Sequence, residues 1–229
     1  MNRFIKIAIL ISFSFAFISS ANGQEKAHMN NSEGIPKMFS TSEEAVQQGK
    51  KDLLALFSFK HDLNVGLDSS RIEETSLGKA IESFDVDFQK LIKEIDVTEL
   101  NELAGASKGN ITPLMLGHEV VSVIDTRKDE DGWKVSGLTN PTVTNDLNQI
   151  LEAHLRRGVE KMSYYEVPNI HARIYSTSIE GETRYFTNYD VFSFDKPISI
   201  LELLPKLRED AQNFEKLYGE ILKEKRLVK

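Results

Sequence analysis

The stretch VVSVIDTRKDEDGWKVSG, residues 120–137, decides the fold class of this chain. Its first part is rich in β-branched residues, which favour extended strands. Residues 133–137 alternate between the two sides of a strand, as expected when one face is buried. Asp131 and Gly132 lie between the two parts, and a glycine that tolerates positive φ suits a tight turn. The stretch therefore predicts a β-hairpin.

Helical patterns lie on both sides of this hairpin. Thr41 and Glu44 have the spacing of a capping box, which predicts that a helix begins there. A second helix is predicted to begin with Thr142 or Thr144 as its cap, because apolar residues follow at helical spacing. A third, long helix is predicted near the C-terminus with Pro205 in its first turn.

The remaining segments contain several strand patterns. Strands are predicted at residues 63–67, 77–86, 162–167, 170–178 and 183–194, a helix over 88–103, and a loop over 104–110. The strands come in adjacent runs instead of alternating singly with helices. This order predicts an α+β fold in which an antiparallel, hairpin-rich sheet packs against three to four helices. Residues 41–229 are predicted to form one domain. Because a helix followed by strands occurs twice, this domain is interpreted as a possible duplication of one unit, at 41–140 and 141–229.

The N-terminus has the layout of a secretory signal peptide. Two basic residues precede an apolar run at 7–18, and the small residues Ala21 and Gly23 follow it. We expect cleavage after Gly23, which makes residues 1–23 the signal peptide, and we expect a flexible leader over 24–40. A membrane anchor is disfavoured, because a spanning helix needs about 20 apolar residues. The prediction is an exported, soluble bacterial protein of the periplasm or the medium.

Composition restricts the chemistry and the partners. The chain has no cysteine, which excludes thiol catalysis, disulfides and cysteine-bound metals. Its formal net charge is −7, and removing Arg3 and Lys6 with the signal peptide makes it −9. An acidic protein is a poor partner for nucleic acid or anionic membrane. His118 and Glu119 begin like a zinc-protease motif, but Ser122 stands where the second histidine is needed. We therefore expect no metal, no cofactor, no nucleic acid and no membrane partner.

The best candidate site is the predicted hairpin at residues 170–194. If Glu180 and Gly181 form a two-residue turn, four cross-strand pairs share one face: His171–Asp190, Arg173–Asn188, Tyr175–Phe186 and Thr177–Arg184. The opposite side then forms the core face, with Ile170, Ala172, Ile174, Tyr185, Tyr189 and Val191. We predict a ligand-binding groove lined by His171, Arg173, Tyr175, Phe186, Asn188 and Asp190. The alternative interpretation is an ordinary solvated sheet face.

The prediction of function rests mainly on the absence of catalytic sequence motifs. The sequence contains no nucleophile elbow, phosphate loop or dinucleotide fingerprint. His154 lies on an apolar helix face, where it is predicted to be a core residue. The prediction is an exported, non-catalytic binding or accessory module for a peptide, a protein or an envelope component. Two alternatives stay open: a hydrolase with His171 and Asp190 as its acid–base pair, and a structural role in envelope assembly.

Overall fold

The computed structural model describes residues 37–59, 69–154 and 161–226. In this part of the chain the helices are α1 (Ser42–Phe59), α2 (Ser69–Glu73), α3 (Phe88–Lys93), α4 (Leu100–Leu103), α5 (Pro141–His154) and α6 (Ile200–Arg226). The strands are β1 (Ser76–Leu77), β2 (Ile81–Val86), β3 (Ala104–Leu116), β4 (Glu119–Asp129), β5 (Gly132–Gly137), β6 (Met162–Val167), β7 (Ala172–Ile179) and β8 (Glu182–Phe186). The predicted α+β class is confirmed. The predicted signal peptide, most of the leader and the predicted strand at 63–67 lie outside the described residues.

The hairpin predicted from residues 120–137 is formed by β4 and β5. Asp129 pairs with Gly132 across the turn. Gly132 has a φ of +134°, and a Cβ at this position would lie 2.6 Å from the carbonyl oxygen of Phe39. Phe39 approaches this closely because its backbone pairs with Trp133 at the outer edge of the sheet. A glycine is therefore needed both for the turn and for the segment that covers this edge.

The strands form one sheet in the order β5-β4-β3-β2-β6-β7-β8, and β1 pairs with the far end of β3. Neighbouring strands are antiparallel except for β2 and β6, which are parallel at the centre. From this central pair, β2 to β5 run outward as one meander and β6 to β8 as another. The helix α1 precedes the first meander and α5 precedes the second. The predicted duplication of a helix-plus-strands unit stays a prediction.

Helices cover both faces of the sheet. On one face, Leu147 and Ile150 of α5 share a hydrophobic cluster with Tyr164 of β6. The neighbouring Tyr165 points the opposite way and shares a cluster with Leu207 of α6. The helix α1 covers the same face as α6 but lies over β4 and β5. The sheet is thus the middle layer of three, and both of its sides contribute to the core.

The starts of α1 and α6 follow the same cap chemistry. The hydroxyl of Thr41 accepts a hydrogen bond from the Glu44 N–H at 3.2 Å, and the Glu44 carboxylate accepts one from the Thr41 N–H at 3.3 Å. The predicted capping box is therefore confirmed. At α6, the Glu202 carboxylate accepts hydrogen bonds from Ser199, whose backbone N–H lies at 2.9 Å. Because this cap begins the helix earlier, Pro205 lies in the second turn, and its predicted place in the first turn is wrong.

The start of α5 also differs from its prediction. The helix begins at Pro141, and the Asn140 side chain accepts a hydrogen bond from the Val143 N–H at 3.2 Å. Asn140 is therefore the cap, while Thr142 and Thr144 lie inside the helix. Asparagine is a strong N-cap residue, and a proline in the first helical position leaves no intrahelical hydrogen bond unmade. The pair Asn140–Pro141 is therefore a stronger signal for the start of a helix than either threonine.

Two further segments differ from the predicted elements. Residues 104–110, predicted as a loop, form the first half of β3 and pair with β2 through two irregularities. Their small and polar residues have weak strand preference, but β2 supplies pairing partners along this segment and β4 joins at Asn110. Residues 88–103, predicted as one helix, form α3 and α4 with a non-helical connection between them. In both places tertiary pairing overrides local preference.

The strand predicted at 183–194 ends at Phe186. The hydroxyl of Thr187 donates a hydrogen bond to the Arg173 carbonyl oxygen at 2.6 Å, so a side chain replaces the next backbone bond of the ladder. On the outer side, Ile198 returns and pairs with Tyr185 through backbone hydrogen bonds of 2.9 and 3.0 Å. The chain beyond Thr187 therefore leaves the sheet.

Among the described residues, no helix combines the length and the apolar character needed to cross a bilayer. This finding covers α1 and α6, the longest helices in that part of the chain.

Gly49 sets how closely α1 packs on the sheet. A Cβ at this position would lie 2.8 Å from Cγ2 of Ile124, and Ile124 is completely buried. Alanine favours a helix by up to about 1 kcal/mol over glycine, but overpacking costs about 1–3 kcal/mol. We expect Gly49→Ala to lower the free energy of unfolding by about 1–2 kcal/mol, measured by urea unfolding followed by circular dichroism.

Gly219→Ala in α6 is the matched control. There the nearest atoms to a Cβ would be those of the carboxylate end of Glu215, at 2.8 Å, and the end of that half-buried but flexible side chain can rotate away. We expect this variant to be more stable by about 0.5–1 kcal/mol. If both variants were stabilised equally, the tight contact between α1 and β4 would be disproved.

Candidate functional site

The lower half of the predicted site hairpin forms as expected. In β7 and β8, Tyr175 pairs with Phe186 and Thr177 pairs with Arg184. The turn consists of two residues, Glu180 and Gly181, with φ values of 56° and 82°. Positive φ at both central residues matches the right-handed twist of the flanking strands. The predicted register is therefore correct in this half.

The upper half of the hairpin does not form. Because β8 ends at Phe186, the predicted cross-strand pairs His171–Asp190 and Arg173–Asn188 are wrong. His171 is exposed and ends a short 3-10 turn at Pro168–Ile170 with a φ of 54°. Asp190 also has positive φ, and its carboxylate lies 3.5 Å from Nζ of Lys206. Asn188 is exposed in the irregular segment that follows β8.

The face that carries Tyr175 is not the solvated face that the pattern suggested. Tyr175 and Phe186 are both fully buried, because α5 covers them. The predicted core face on the other side is buried at Ala172, Ile174 and Tyr185, as expected. Val191, assigned to that face, is instead 82% exposed, because it lies beyond the end of β8.

Arg173, a member of the predicted set, lines a polar cavity. Its Nε donates a hydrogen bond to the Asp146 carboxylate of α5 at 2.9 Å, and the Tyr175 hydroxyl donates to the same oxygen at 3.1 Å. The Asp146 side chain is 2% exposed, whereas that of Arg173 is 27% exposed. Neither Nη nitrogen of Arg173 has a hydrogen-bond partner among the described residues. Asp146 therefore holds the guanidinium at its Nε, while the outer edge, formed by the two Nη nitrogens, has no hydrogen-bond partner among the described residues.

This cavity is a polar cleft of about 330 Å³ between the sheet and the start of α5. Its described lining residues belong to six strands and to the first turn of α5 with its cap. They are Ser83, Lys108, Gly109, Asn110, Ile111, Asp125, Thr126, Arg127, Ser136, Asn140, Thr142, Val143, Tyr164, Glu166 and Arg173. Charged side chains of both signs therefore share one small cleft.

Asp125 is the most unusual group in the cleft. Burial raises the pKa of its carboxyl from 3.8 to about 6. Its Oδ1 atom is inaccessible to solvent and has no hydrogen-bond partner within the described part of the chain. A buried polar atom without a partner is costly and is rare in folded proteins. Asp125 therefore lines the cleft with a carboxylate that the described residues leave without a hydrogen bond.

The cations of the cleft differ in how they are held. Nζ of Lys108 lies 2.8 Å from the Asp85 carboxylate and 3.8 Å from that of Glu166. Arg127 is exposed and makes no ion pair among the described residues. Burial raises the pKa of Tyr164, with smaller contributions from Glu166 and other carboxylates and an opposing one from Arg173. The neutral phenol of Tyr164 thus lies among charges that come from several strands.

Gly109 allows the wall of the cleft to form. Its φ is +144°, and a Cβ there would lie 1.9 Å from the carbonyl oxygen of Thr126. Any side chain at this position would separate β3 from β4 where both contribute to the cleft. The glycine is thus required by the close approach of two backbones.

The described lining of the cleft combines hydroxyl, amide, carboxylate and cationic groups. It contains hydroxyls and carboxylates but no histidine. Among residues 37–59, 69–154 and 161–226, no three His, Asp or Glu side chains lie close enough together to hold a metal ion. The side chain of His154, predicted to be in the core, lies outside the described residues. The arrangement suits a ligand with hydrogen-bonding and charged groups.

Sequence reasoning missed most of this cleft, although two signals were present. Asp125 ends the apolar run of β4, so a carboxylate was placed next to the core. Asp146 lies three residues after Val143 and four before Ile150, on the buried face of α5. Ionisable residues are rarely buried without a partner. Both positions could therefore have been flagged, but their partners could not.

The raised pKa of Asp125 predicts a pH-dependent stability. The folded state holds the proton up to about pH 6, whereas the unfolded chain loses it near 3.8. Stability therefore falls as the pH rises between these values, by about 2–3 kcal/mol in total. We expect Asp125→Asn to match the wild type near pH 4 and to be more stable by about 2 kcal/mol at pH 7.5, in urea unfolding at both pH values.

Asp131→Asn, at the exposed tip of the β4–β5 hairpin, is the control for this experiment. It removes one carboxylate from the same hairpin without removing a buried group. It should show no pH-dependent gain. A wild type whose stability rose from pH 4 to pH 7.5 relative to Asp125→Asn would overturn the assignment.

Comparison of the chain with family models, curated proteins and solved structures gave no match.

Proposed function

We propose that this protein is an exported, non-catalytic binding module whose ligand occupies the polar cleft between the sheet and α5. One observation supports this proposal above the others. The same cleft is lined by the Asp125 carboxylate and by the outer edge of the Arg173 guanidinium, and neither has a hydrogen-bond partner among the described residues. Unused charged groups at a cavity are costly to the free protein, and a ligand that pairs with them recovers that cost.

The size and the rigidity of the cleft support a small or short ligand. Its volume of about 330 Å³ lies at the low end of the range of about 300–1,000 Å³ for small-molecule sites. The charged residues stand on strands of the sheet instead of on long loops, so their positions are largely fixed before binding. Such preorganisation reduces the entropy lost when a ligand binds.

The two other candidate functions receive less support. A hydrolase that uses His171 and Asp190 needs both side chains at one reacting centre, but the cross-strand pair that would have joined them is not formed, and Asp190 faces Lys206. An assembly role needs a broad apolar patch. Within the described part of the chain, the large exposed apolar residues are spread over four segments: Leu56, Ile95, Val191, and Leu201, Leu217 and Tyr218 of α6.

A thermal-shift screen tests the proposal directly. The wild type is mixed in turn with amino acids, short peptides, and neutral and acidic oligosaccharides. A compound that binds only the folded state raises the melting temperature, by an amount that grows with its concentration. We expect at least one class to do so, and we expect Arg127→Gln to reduce the shift, because Arg127 lines the cleft without any ion pair to lose.

Lys128→Gln is the matched control, since its side chain leaves β4 on the opposite side of the sheet from that of Arg127. It should keep the full shift. A ligand that stabilised both variants equally would bind elsewhere and would contradict the proposed site. Mass spectrometry of the recovered ligand should show no chemical change, and turnover would refute the non-catalytic role.

A further inference from the structure

We infer that the ligand is a short extended peptide with free ends, whose ammonium group binds Asp125 and whose carboxylate binds Arg173. This inference rests on the proposed function. This assigns a ligand class to the cleft and a role to each end of it. The inference is carried by where the two unpartnered charges lie on the sheet.

The separation of the two charges sets the length of the ligand. Asp125 is on β4 and Arg173 is on β7, with β3, β2 and β6 between them. Four strand spacings across the sheet and a stagger of four residues along β2, from Ile81 to Asp85, place their backbones about 23 Å apart, and both side chains line the cleft between them. An extended peptide covers about 3.3 Å per residue, so about three to five residues fill the remaining gap. A single amino acid is too short to contact both groups.

The chemistry of the two ends is complementary to peptide termini. The Asp125 carboxylate lines the cleft and accepts no hydrogen bond from the described residues, so it can accept one from an ammonium group. The outer edge of the Arg173 guanidinium can bind a carboxylate with two parallel hydrogen bonds. Because Asp146 accepts the hydrogen bond that the Nε of Arg173 donates, the outer edge of the guanidinium is left to the cleft. Opposite charges at opposite ends match a peptide better than a neutral sugar, which has no charge to offer either group.

The middle of the cleft can satisfy a peptide backbone. Lys108 and Glu166 lie between the two ends, and Ser83 and Tyr164 add hydroxyl groups. These side chains supply both donors and acceptors, which the N–H and C=O groups of a peptide need. The cleft is too small for a folded partner, so only a free or exposed chain end fits it.

Retention of peptides by the full chain is the test. The probe is a pool of random-sequence peptides of two to eight residues, offered in three forms: free ends, acetylated N-termini and amidated C-termini. Retained peptides are identified by mass spectrometry and their affinities are measured by calorimetry. We expect retention to peak at about three to five residues and each end modification to weaken binding about tenfold or more.

Two variants assign the ends. Asp125→Asn should remove the penalty of acetylation while keeping that of amidation. Arg173→Lys keeps a cation for Asp146 but loses the two-pronged edge, so it should reduce the penalty of amidation alone. Asp131→Asn is the control and should behave as the wild type. The end-modified peptides test the same contacts in the unaltered protein, so a poorly folded variant does not obscure the result.

Several outcomes would overturn the inference. Binding that ignores both end modifications, or penalties that respond to the opposite variants, would show that the ends are not read as inferred. If no peptide is retained but an oligosaccharide gives a thermal shift that Arg127→Gln reduces, the peptide inference fails and the proposed binding function stands. If neither class binds, both fail.

Discussion

The buried carboxylate of Asp146 is the interaction on which the site depends. It joins α5 to β7 by accepting hydrogen bonds from Arg173 and Tyr175. A second tie holds α5 to β4, where Asn148 exchanges two hydrogen bonds of 2.8 Å with the backbone of Val120. Removing one partner of a buried ion pair typically costs about 3–5 kcal/mol, because the other charge is left uncompensated. The pair therefore fixes the helix and the guanidinium together.

The position of α5 explains why one cleft can be polar inside a largely apolar layer. The middle of α5 packs on Tyr164 and Tyr175 and closes the face of the sheet. Its first turn stands away from the strands that carry Asp125 and Lys108, and the space between them is the cleft. Fully buried tyrosines thus adjoin partly hydrated charges. Burial raises the pKa of Tyr175, and the Asp146 carboxylate adds to this effect, so the phenol stays a neutral donor.

The same covering helix accounts for the main error of sequence interpretation. The alternation in β7 indicated one wet face and one dry face, but α5 and α6 cover both sides of this strand. A strand buried on both sides can still alternate between polar and apolar residues when its polar groups have buried partners. Arg173 finds such a partner in Asp146, from a helix about 27 residues earlier in the chain. No local pattern contains that information.

The sequence by itself determined the elements whose signals are local. The β4–β5 hairpin, the capping box at Thr41 and Glu44, and the turn at Glu180 and Gly181 depend on residues a few positions apart, so short-range chemistry specifies them. Only the tertiary structure decided where β8 ends, which segment became β3 and which charges meet in the cleft. Those outcomes depend on hydrogen bonds and packing between residues far apart in the chain, where competition between partners, and not local preference, sets the result.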